Sequence, residues 1–279
     1  MNQDHVADLH IHTTASDGAY SIVEVAQLAA KAGLEIIGIT DHDNVSALMT
    51  PLPGECVRAV PGVELSAEWG AREAHILGYY IDPRDSHLGE TLGALQEKRR
   101  ERLQVILKKL NELAVDIDPQ EILDMAAGGS VGRLHIAETL IEKGYAGSVY
   151  QAFRDFLGPE GKAFVPKTRI SVPEAIEIVH AAGGAAVLAH PGFIFAPDEV
   201  REFARDGLDG IEAYYPRHSQ SDVTQALKLA EELHLVVTGG SDFHGRSSND
   251  VPIGATRVTR DDVARLCERS RRYGAGRDL

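Results

Sequence analysis

The segment Asp8-Leu9-His10-Ile11-His12-Thr13 decides the fold prediction. It reads as a strand that ends in two histidines, and residues two apart on a strand point to the same side. Other short apolar runs also end in, or contain, histidine or carboxylate: Thr40-Asp41-His42-Asp43, Gly62-Val63-Glu64, Ala74-His75-Ile76, Ala189-His190-Pro191 and Ser241-Asp242-Phe243-His244. Such residues at the ends of successive strands predict an α/β barrel, because a barrel gathers them at one face.

Strands and helices alternate on both sides of this pattern. Ser21 opens a predicted helix that runs to Lys31, with Glu24 completing a capping box. The alternation predicts a mostly parallel sheet wrapped by helices. The predicted strands are Val6–His12, Ile36–Thr40, Val57–Val63, Ala74–Tyr80, Ala185–Ala189, Gly210–Ala213 and Val236–Gly239. The other predicted barrel helices are Leu88–Leu113, Val172–Ala182, Pro197–Arg205, Ser221–Leu233 and one after Thr259.

The stretch from 116 to 164 has a different character. Three helical segments follow one another there without a strand: Pro119–Ala126, Arg133–Lys143 and Ser148–Phe156. We therefore predict that residues 1–115 and 165–279 form the barrel. Residues 116–164 are predicted to form a small all-helical insertion over the active-site face.

The composition and net charge limit the partners and the cellular location that the sequence predicts. The net charge of −14 disfavours a broad nucleic-acid binding surface, although a local basic pocket is compatible with it. The two cysteines, Cys56 and Cys267, are far apart and indicate a reducing compartment. We see no signal peptide and no apolar run of membrane-spanning length, so the predicted location is cytoplasmic and no membrane partner is expected.

The candidate metal ligands are nine residues that the predicted barrel brings to one cavity. Each has an ordinary alternative when taken alone: turn chemistry for Asp17, a neutral buried imidazole for His75, and helix capping for an acid near His42. Nine such coincidences are improbable together. The set is His10, His12, Asp17, His42, Glu64, His75, His190, Asp242 and His244.

These motifs, including Gly240-Ser241-Asp242-Phe243-His244-Gly245, resemble the motif set of the polymerase and histidinol phosphatase (PHP) family. The resemblance implies a distorted, TIM-like (β/α)7 barrel with two or three divalent metal ions. It assigns His10, His12, Glu64 and Asp242 to the first ion. It assigns Glu64, His75 and His190 to a second, and Asp17, His42 and His244 to a third. Imidazole and carboxylate ligands suit Mn²⁺, which we expect, with Zn²⁺ or Fe²⁺ as alternatives.

Two further segments narrow the resemblance. Ser130 to Ala137 and Tyr215-Pro216-Arg217-His218-Ser219 resemble the stand-alone branch that dephosphorylates nucleoside 3′,5′-bisphosphates or trims short RNA from the 5′ end. This implies a phosphatase that removes the 3′-phosphate, converting pAp to AMP and phosphate by means of a metal-activated hydroxide. The candidate catalytic residues are Asp242, His244 and Glu64. The expected partner is a small phosphorylated nucleotide or a short oligonucleotide.

A second, non-reacting phosphate needs cations of its own. Arg133 and Lys167 lie in and just after the insertion, and Arg217 and His218 share one motif. Surface pairing is the alternative for Arg133. Arg99 extends a buried stripe, so it needs either a bound phosphate or an internal salt bridge.

Other functions stay open at this point. Histidinol-phosphate phosphatase or 5′-3′ exonuclease activity on short RNA would keep the chemistry and change the substrate. A non-catalytic regulatory or polymerase-associated module is a remoter alternative, because the ligand set looks complete and no polymerase portion is seen. An amidase or deaminase on a similar metallobarrel is disfavoured by the phosphate-type cations.

Overall fold

The computed structural model describes residues 5–52, 57–70, 72–126, 129–167, 170–192, 194–246, 251–256 and 258–274, so Cys56 lies outside it. The strands are β1 (His5–Ile11), β2 (Ile36–Ile39), β3 (Arg58–Trp69), β4 (Arg72–Tyr79), β5 (Ile170–Ser171), β6 (Ala185–Leu188), β7 (Gly210–Tyr214), β8 (Val236–Gly239) and β9 (Val258–Thr259). The α-helices are α1 (Ile22–Lys31), α2 (Ser86–Glu112), α3 (Pro119–Met125), α4 (Arg133–Glu142), α5 (Val149–Ala152), α6 (Val172–Ala181), α7 (Pro197–Arg205), α8 (Gln220–Leu233) and α9 (Arg260–Ser270). Short 3₁₀ turns cover Ser46–Met49 and Arg271–Tyr273, and a π turn covers Phe153–Leu157.

Seven strands form the wall of a nearly closed barrel, in the order β8-β7-β6-β4-β3-β2-β1. The wall closes through a bridge between Ile11 and Phe243 and through the Asp242 N–H, which donates to the His10 carbonyl at 2.9 Å. The short strand β9 extends the edge at β1, and β5 pairs with β3. The predicted α/β barrel is therefore confirmed.

The sheet is less parallel than the sequence predicts. Strand β4 runs antiparallel to both of its neighbours, β3 and β6. The reason is chain length, because β4 begins at Arg72, directly after β3 ends at Trp69, and a parallel crossover needs a dozen or more residues. The connection from β3 to β4 is therefore not a regular βα unit, and this hairpin is the main distortion of the barrel.

The hairpin also corrects the position of Glu64. The sequence analysis placed Glu64 after a strand ending at Val63, but β3 continues to Trp69 and Glu64 lies inside it. The backbone of Glu64 bonds to the segment after β2, since its N–H donates to the Asp41 carbonyl and its carbonyl accepts from Asp43. Glu64 is thereby held beside the carboxyl end of β2.

The predicted helix α1 forms as its capping signals require. Ser21 accepts from the Glu24 N–H, and the Glu24 carboxylate accepts from the Ser21 N–H at 2.8 Å. Gly33 follows the helix with φ of +75°, a backbone conformation that glycine adopts at little cost. The strands β5 and β9 were not predicted, because two-residue strands carry too little periodicity to be detected.

The helical segment has a hydrophobic core of its own. The C-terminal half of α2 packs with α3, α4 and α5 around buried residues that include Leu103, Leu110, Ile122 and Leu140. Helix α2 thus belongs to both cores, because Leu88 and Leu92 near its start pack against the barrel. The division at residues 115 and 165 stays a prediction. No helix in the described ranges is long and apolar enough to span a membrane.

We predict that Leu110→Ala lowers the free energy of unfolding by about 2–5 kcal/mol, because Leu110 is fully buried in the second core and truncation leaves a cavity. Val105→Ala is the matched control, since Val105 is 46% exposed on the same helix and should change stability by no more than about 0.5 kcal/mol. Chemical denaturation of both variants measures this. Equal losses would contradict the packing of α2 against α3–α5.

Candidate metal centre

All nine predicted ligands lie together in the folded protein. Their ligand atoms form overlapping groups within which every pair is no more than 4.8 Å apart. The groups are His10, His12, Glu64 and Asp242; His12, Asp17, His42 and His244; His42, Glu64 and His75; and His10, His190 and Glu212. The structure therefore brings the whole predicted set to one cavity and adds Glu212 to it.

Glu64 is at the centre of the cluster and is only 1% exposed. One carboxylate oxygen, Oε2, faces three histidines, and the other, Oε1, faces two more. Oε2 lies 3.3 Å from His10 Nε2, 3.2 Å from His12 Nε2 and 3.1 Å from His42 Nδ1, and Oε1 lies 2.7 Å from His75 Nδ1 and 3.3 Å from His190 Nε2. Each oxygen thus faces its own set of imidazoles.

The two aspartates belong to two different groups, Asp242 with His10, His12 and Glu64, and Asp17 with His12, His42 and His244. Asp242 Oδ1 lies 3.1 Å from His12 Nε2 and 3.5 Å from His10 Nε2, and Asp17 Oδ1 lies 3.3 Å from His244 Nε2. Ligand atoms about 2.1 Å from one ion are roughly 3.0–3.4 Å apart in tetrahedral or octahedral geometry. The separations in the cluster are close to this range.

For four of the six imidazoles, hydrogen bonds on the side away from Glu64 determine which ring nitrogen faces the cluster. Nδ1 of His10 lies 3.0 Å from the Glu212 carboxylate, and Nδ1 of His244 lies 2.9 Å from the Asp242 carbonyl. Both partners only accept hydrogen bonds, so each Nδ1 donates. In the neutral rings, both Nε2 lone pairs then face the cluster, as metal coordination requires.

His12 and His75 follow the same arrangement. The Ser16 hydroxyl donates to Asp41 at 2.5 Å, which leaves its oxygen to accept from His12 Nδ1 at 3.4 Å. Nε2 of His75 donates to the Glu73 carboxylate at 3.3 Å, which leaves Nδ1 facing Glu64. Four histidines thus each turn a second nitrogen toward the cavity.

Among the residues that the structure describes, several buried polar atoms of the cluster have no partner with hydrogen-bonding geometry. Buried polar atoms are nearly always hydrogen-bonded, so a group of such atoms that face one another is suited to binding a cation. The imidazole and carboxylate donors are those that borderline and hard divalent metals accept. The atoms are Nε2 of His10 and His12, Nδ1 of His42 and His75, Oδ1 of Asp17 and Oε2 of Glu64. These residues therefore fit divalent metal ions.

Without metal, protons on some of the histidines balance the negative charge of the buried carboxylates. Burial alone would lower the pKa of His12, but Asp242 and Glu64 outweigh it and raise the pKa to about 10. His75 behaves likewise, since Glu64 raises its pKa to about 9 against the effect of burial. Burial dominates for His42 and lowers its pKa to about 3.

The backbone is strained at this site. Asp43, His190 and Asp242 have φ values of 47°, 24° and 54°, in the left-handed region that non-glycine residues seldom adopt. Strain of this kind collects at functional sites, where the surrounding structure holds it in place. Gly240 is required next to them, because a Cβ there would lie 2.2 Å from the Cβ of His10.

Several buried acids that support the site were not among the predicted site residues. Asp8 accepts from the N–H groups of Ser241 and Gly254, at 2.9 and 2.7 Å, and burial raises its pKa to about 6. It therefore ties β1 to the loop that carries Asp242. Asp41 accepts from the Thr13 N–H at 2.8 Å and so holds the loop after His12.

Two of the predicted substrate cations contact Glu73, a carboxylate next to the ligand candidate His75. Arg133 Nη2 is 3.5 Å from one Glu73 oxygen, and Lys167 Nζ is 3.4 Å from the other. Lys167 also contacts the Ser66 hydroxyl. Glu73 in turn contacts His75, so one carboxylate connects this basic pair to the cluster.

The other three candidates have different environments. Arg99 donates to the Asp43 carboxylate and to Ser66, so the internal salt bridge is the alternative that the structure contains. Both ring nitrogens of His218 bond to backbone, since Nδ1 donates to the Ala213 carbonyl and Nε2 accepts from the Gly192 N–H. Arg217 is exposed. Substrate roles for these three stay predictions.

Comparison with known proteins agrees with this site. The PHP domain model matches residues 8–115. The 5′-3′ exoribonuclease Rnm of Escherichia coli (strain K12) is 34% identical over 86% of this chain and 85% of that protein. A 3′,5′-nucleoside bisphosphate phosphatase of Chromobacterium violaceum is 29% identical over 93% of both chains. The structure of a predicted metal-dependent phosphoesterase from Bifidobacterium adolescentis superimposes with a TM-score of 0.86 at 26% identity, covering 95% of this chain and 96% of that one.

The chain therefore belongs to the PHP family. It is a metal-dependent phosphoesterase with a barrel fold and a His/Asp/Glu cluster able to bind metal.

We predict that the protein, stripped by chelator and reloaded with manganese, holds about two or three equivalents of Mn²⁺ per chain, because the ligand atoms form more than one group. Glu64→Ala should lose at least one equivalent, since both oxygens of Glu64 face imidazoles. Glu97→Ala, at an exposed carboxylate on α2, is the control and should lose none. Elemental analysis measures the content. Less than one equivalent in the unmodified protein would contradict the prediction.

We also predict that rising pH destabilises the metal-free protein more than the metal-loaded protein. The raised pKa values of His12 and His75 mean that their protons stabilise the metal-free fold fully below about pH 6.5, and that this stabilisation is lost as pH rises through about 9 to 10. Metal must displace these protons, so binding should release protons at pH 7 and tighten as pH rises. Thermal melting from pH 7 to 9.5 should show a falling Tm without metal and a smaller fall with Mn²⁺. Parallel curves would refute the prediction.

Proposed function

We propose that the enzyme hydrolyses the phosphoester on the 3′-oxygen of a nucleotide that also carries a 5′-phosphate. The leading substrate is a nucleoside 3′,5′-bisphosphate, such as pAp, which would give AMP and phosphate. In this reaction the oxygen of water bonds to phosphorus, the bond from phosphorus to the 3′-oxygen breaks, and the 3′-oxygen takes up a proton.

The observation that carries the proposal is the position of the basic pair Arg133 and Lys167, one carboxylate away from the ligand cluster. One phosphate at the cluster and a second beside this pair would fit a substrate with two phosphates. Arg217, His218 and Arg99 are further candidates for substrate contact, although His218 and Arg99 would first have to exchange their present partners.

The cluster would hold the ions in the groups described above. Bound divalent ions, Mn²⁺ by our proposal, would activate water and neutralise the phosphoryl oxygens. Glu64 would help to hold the ions through both of its carboxylate oxygens, because each oxygen faces its own set of imidazoles. Asp242 and His244 stand at the mouth, each about one-fifth exposed, and are the candidates for the proton that the leaving 3′-oxygen needs.

A second candidate is 5′-3′ exonuclease activity on short 5′-phosphorylated RNA. It is favoured by the identity of 34% to the Escherichia coli exoribonuclease. The same bond, between phosphorus and the 3′-oxygen, would break in both reactions, so the two substrates differ only in what else the phosphorus carries. A small nucleotide or short RNA is compatible with the cytoplasmic location, which stays a prediction.

The substrate test compares pAp with 3′-AMP, which lacks the 5′-phosphate. Arg133→Ala should lower kcat/KM for pAp by at least about tenfold, or roughly 1.4 kcal/mol, because a charged contact to the second phosphate is lost. The effect on 3′-AMP should be small. Arg100→Ala, at an exposed arginine paired with Glu97, is the control and should change neither value.

Two results would contradict this assignment. If Arg133→Ala slows both substrates equally, Arg133 does not bind the 5′-phosphate. If the unmodified enzyme hydrolyses 3′-AMP as fast as pAp, the second phosphate is not recognised, and histidinol phosphate becomes the next substrate to assay. A 5′-phosphorylated trinucleotide measured in parallel decides between the phosphatase and exonuclease proposals.

A further inference from the structure

Strand β7 is the wall strand for which the sequence predicts no metal ligand. It lies between β6 and β8, and the segments that follow those two strands carry His190 and Asp242. Three polar side chains from β7 and the loop after it nevertheless reach ligand-bearing segments. They are Glu212, Tyr215 and His218.

Glu212 contacts two predicted ligands from two other strands. It is fully buried, its Oε1 lies 3.0 Å from Nδ1 of His10, and its Oε2 accepts from the His190 backbone N–H at 2.8 Å. An ionised carboxylate only accepts, so His10 donates from Nδ1 and its Nε2 lone pair is left toward Glu64 and Asp242. Glu212 therefore fixes the orientation of the His10 imidazole ring.

The second contact of Glu212 is with the backbone of His190. His190 has φ of 24°, a strained value, and it is the residue whose N–H Glu212 accepts. His218 supports the same loop two residues later, since its Nε2 accepts from the Gly192 N–H at 3.1 Å. The loop that presents the His190 ring to Glu64 is thus held from β7 at two points.

Tyr215 contacts Asp242, the predicted ligand in the loop after β8. Its hydroxyl donates to Asp242 Oδ2 at 3.2 Å, while Oδ1 of the same carboxylate faces Nε2 of His12. With Oδ2 occupied, Asp242 presents one oxygen to the cluster. The Tyr215 ring also packs against His190, with ring centroids 5.2 Å apart.

We propose that Glu212 and Tyr215 are positioning residues for the metal centre, which act by orienting His10, His190 and Asp242. This inference rests on the metal site proposed above. Glu212 lies close enough to His10 and His190 to be considered a ligand itself. Its two oxygens already accept from two N–H groups, however, and this favours the orienting role.

The test is calorimetric titration of chelator-treated protein with Mn²⁺. Glu212→Gln and Tyr215→Phe should each bind Mn²⁺ about 10- to 100-fold more weakly, with the stoichiometry unchanged. A glutamine has one acceptor oxygen in place of two, so it cannot accept from both His10 and His190. Tyr215→Phe removes only the hydroxyl.

Matched controls separate positioning from general damage. Thr238→Val changes a fully buried side chain on β8, at the position that pairs with Glu212. Tyr214→Phe removes the hydroxyl of the tyrosine next to Tyr215 in the chain, and the Tyr214 ring packs against the hydrophobic core. Both should bind Mn²⁺ as the unmodified protein does. The Mn²⁺ concentration for half-maximal activity should rise in the two test variants, while kcat at saturating Mn²⁺ returns to within a few-fold and KM stays constant.

Each outcome decides. Unchanged Mn²⁺ affinity in both test variants would overturn the proposal. Loss of one equivalent in Glu212→Gln would also overturn it, because Glu212 would then be a ligand. If Glu212→Gln fails to fold by circular dichroism, Tyr215→Phe decides alone. Failure of the unmodified protein to bind Mn²⁺ would instead refute the metal site, and this inference with it.

Discussion

The structure depends on an excess of buried negative charge that only cations can balance. Glu64 and Glu212 are at most 1% exposed, and Asp242 and Asp17 belong to the same overlapping ligand groups. Isolated buried carboxylates are very costly, so they must be paired or must hold a metal. Histidine suits this requirement because it can carry a proton in the metal-free protein and then give it up to an ion.

The barrel provides the rigidity that such a site needs. Its wall strands and their loops each contribute one to three groups, and hydrogen bonds behind the cluster orient four of the six imidazoles. Glu73 connects the cluster to the basic pair, since it contacts His75 on one side and Arg133 and Lys167 on the other. If the proposed function holds, metal binding and phosphate recognition would share this one carboxylate, and a substitution at either end should affect the other.

The sequence was sufficient to predict which nine side chains cluster in the fold, but not the residues that support them. Histidines spaced by two on a strand, such as His10 and His12, carry a recognisable signal, and so does Asp242 with His244. Glu212 carries none, because a single acid in an apolar strand has no partner nearby in the chain, although its place in Gly210-Ile211-Glu212 between two ligand-bearing strands was a usable clue. The antiparallel direction of β4 was missed because the predicted strand ended at Val63. Strand β3 in fact continues to Trp69 and leaves too short a connection for a parallel crossover to β4.

The central claim is that both oxygens of Glu64 face cations. The most direct measurement is anomalous diffraction from Mn²⁺-soaked crystals at the manganese absorption edge. We expect at least two separate anomalous peaks within the cluster, with one ion contacting each Glu64 oxygen. A map without anomalous density beside Glu64 at saturating Mn²⁺, with the imidazoles still bonded directly to its oxygens, would contradict this account of the site.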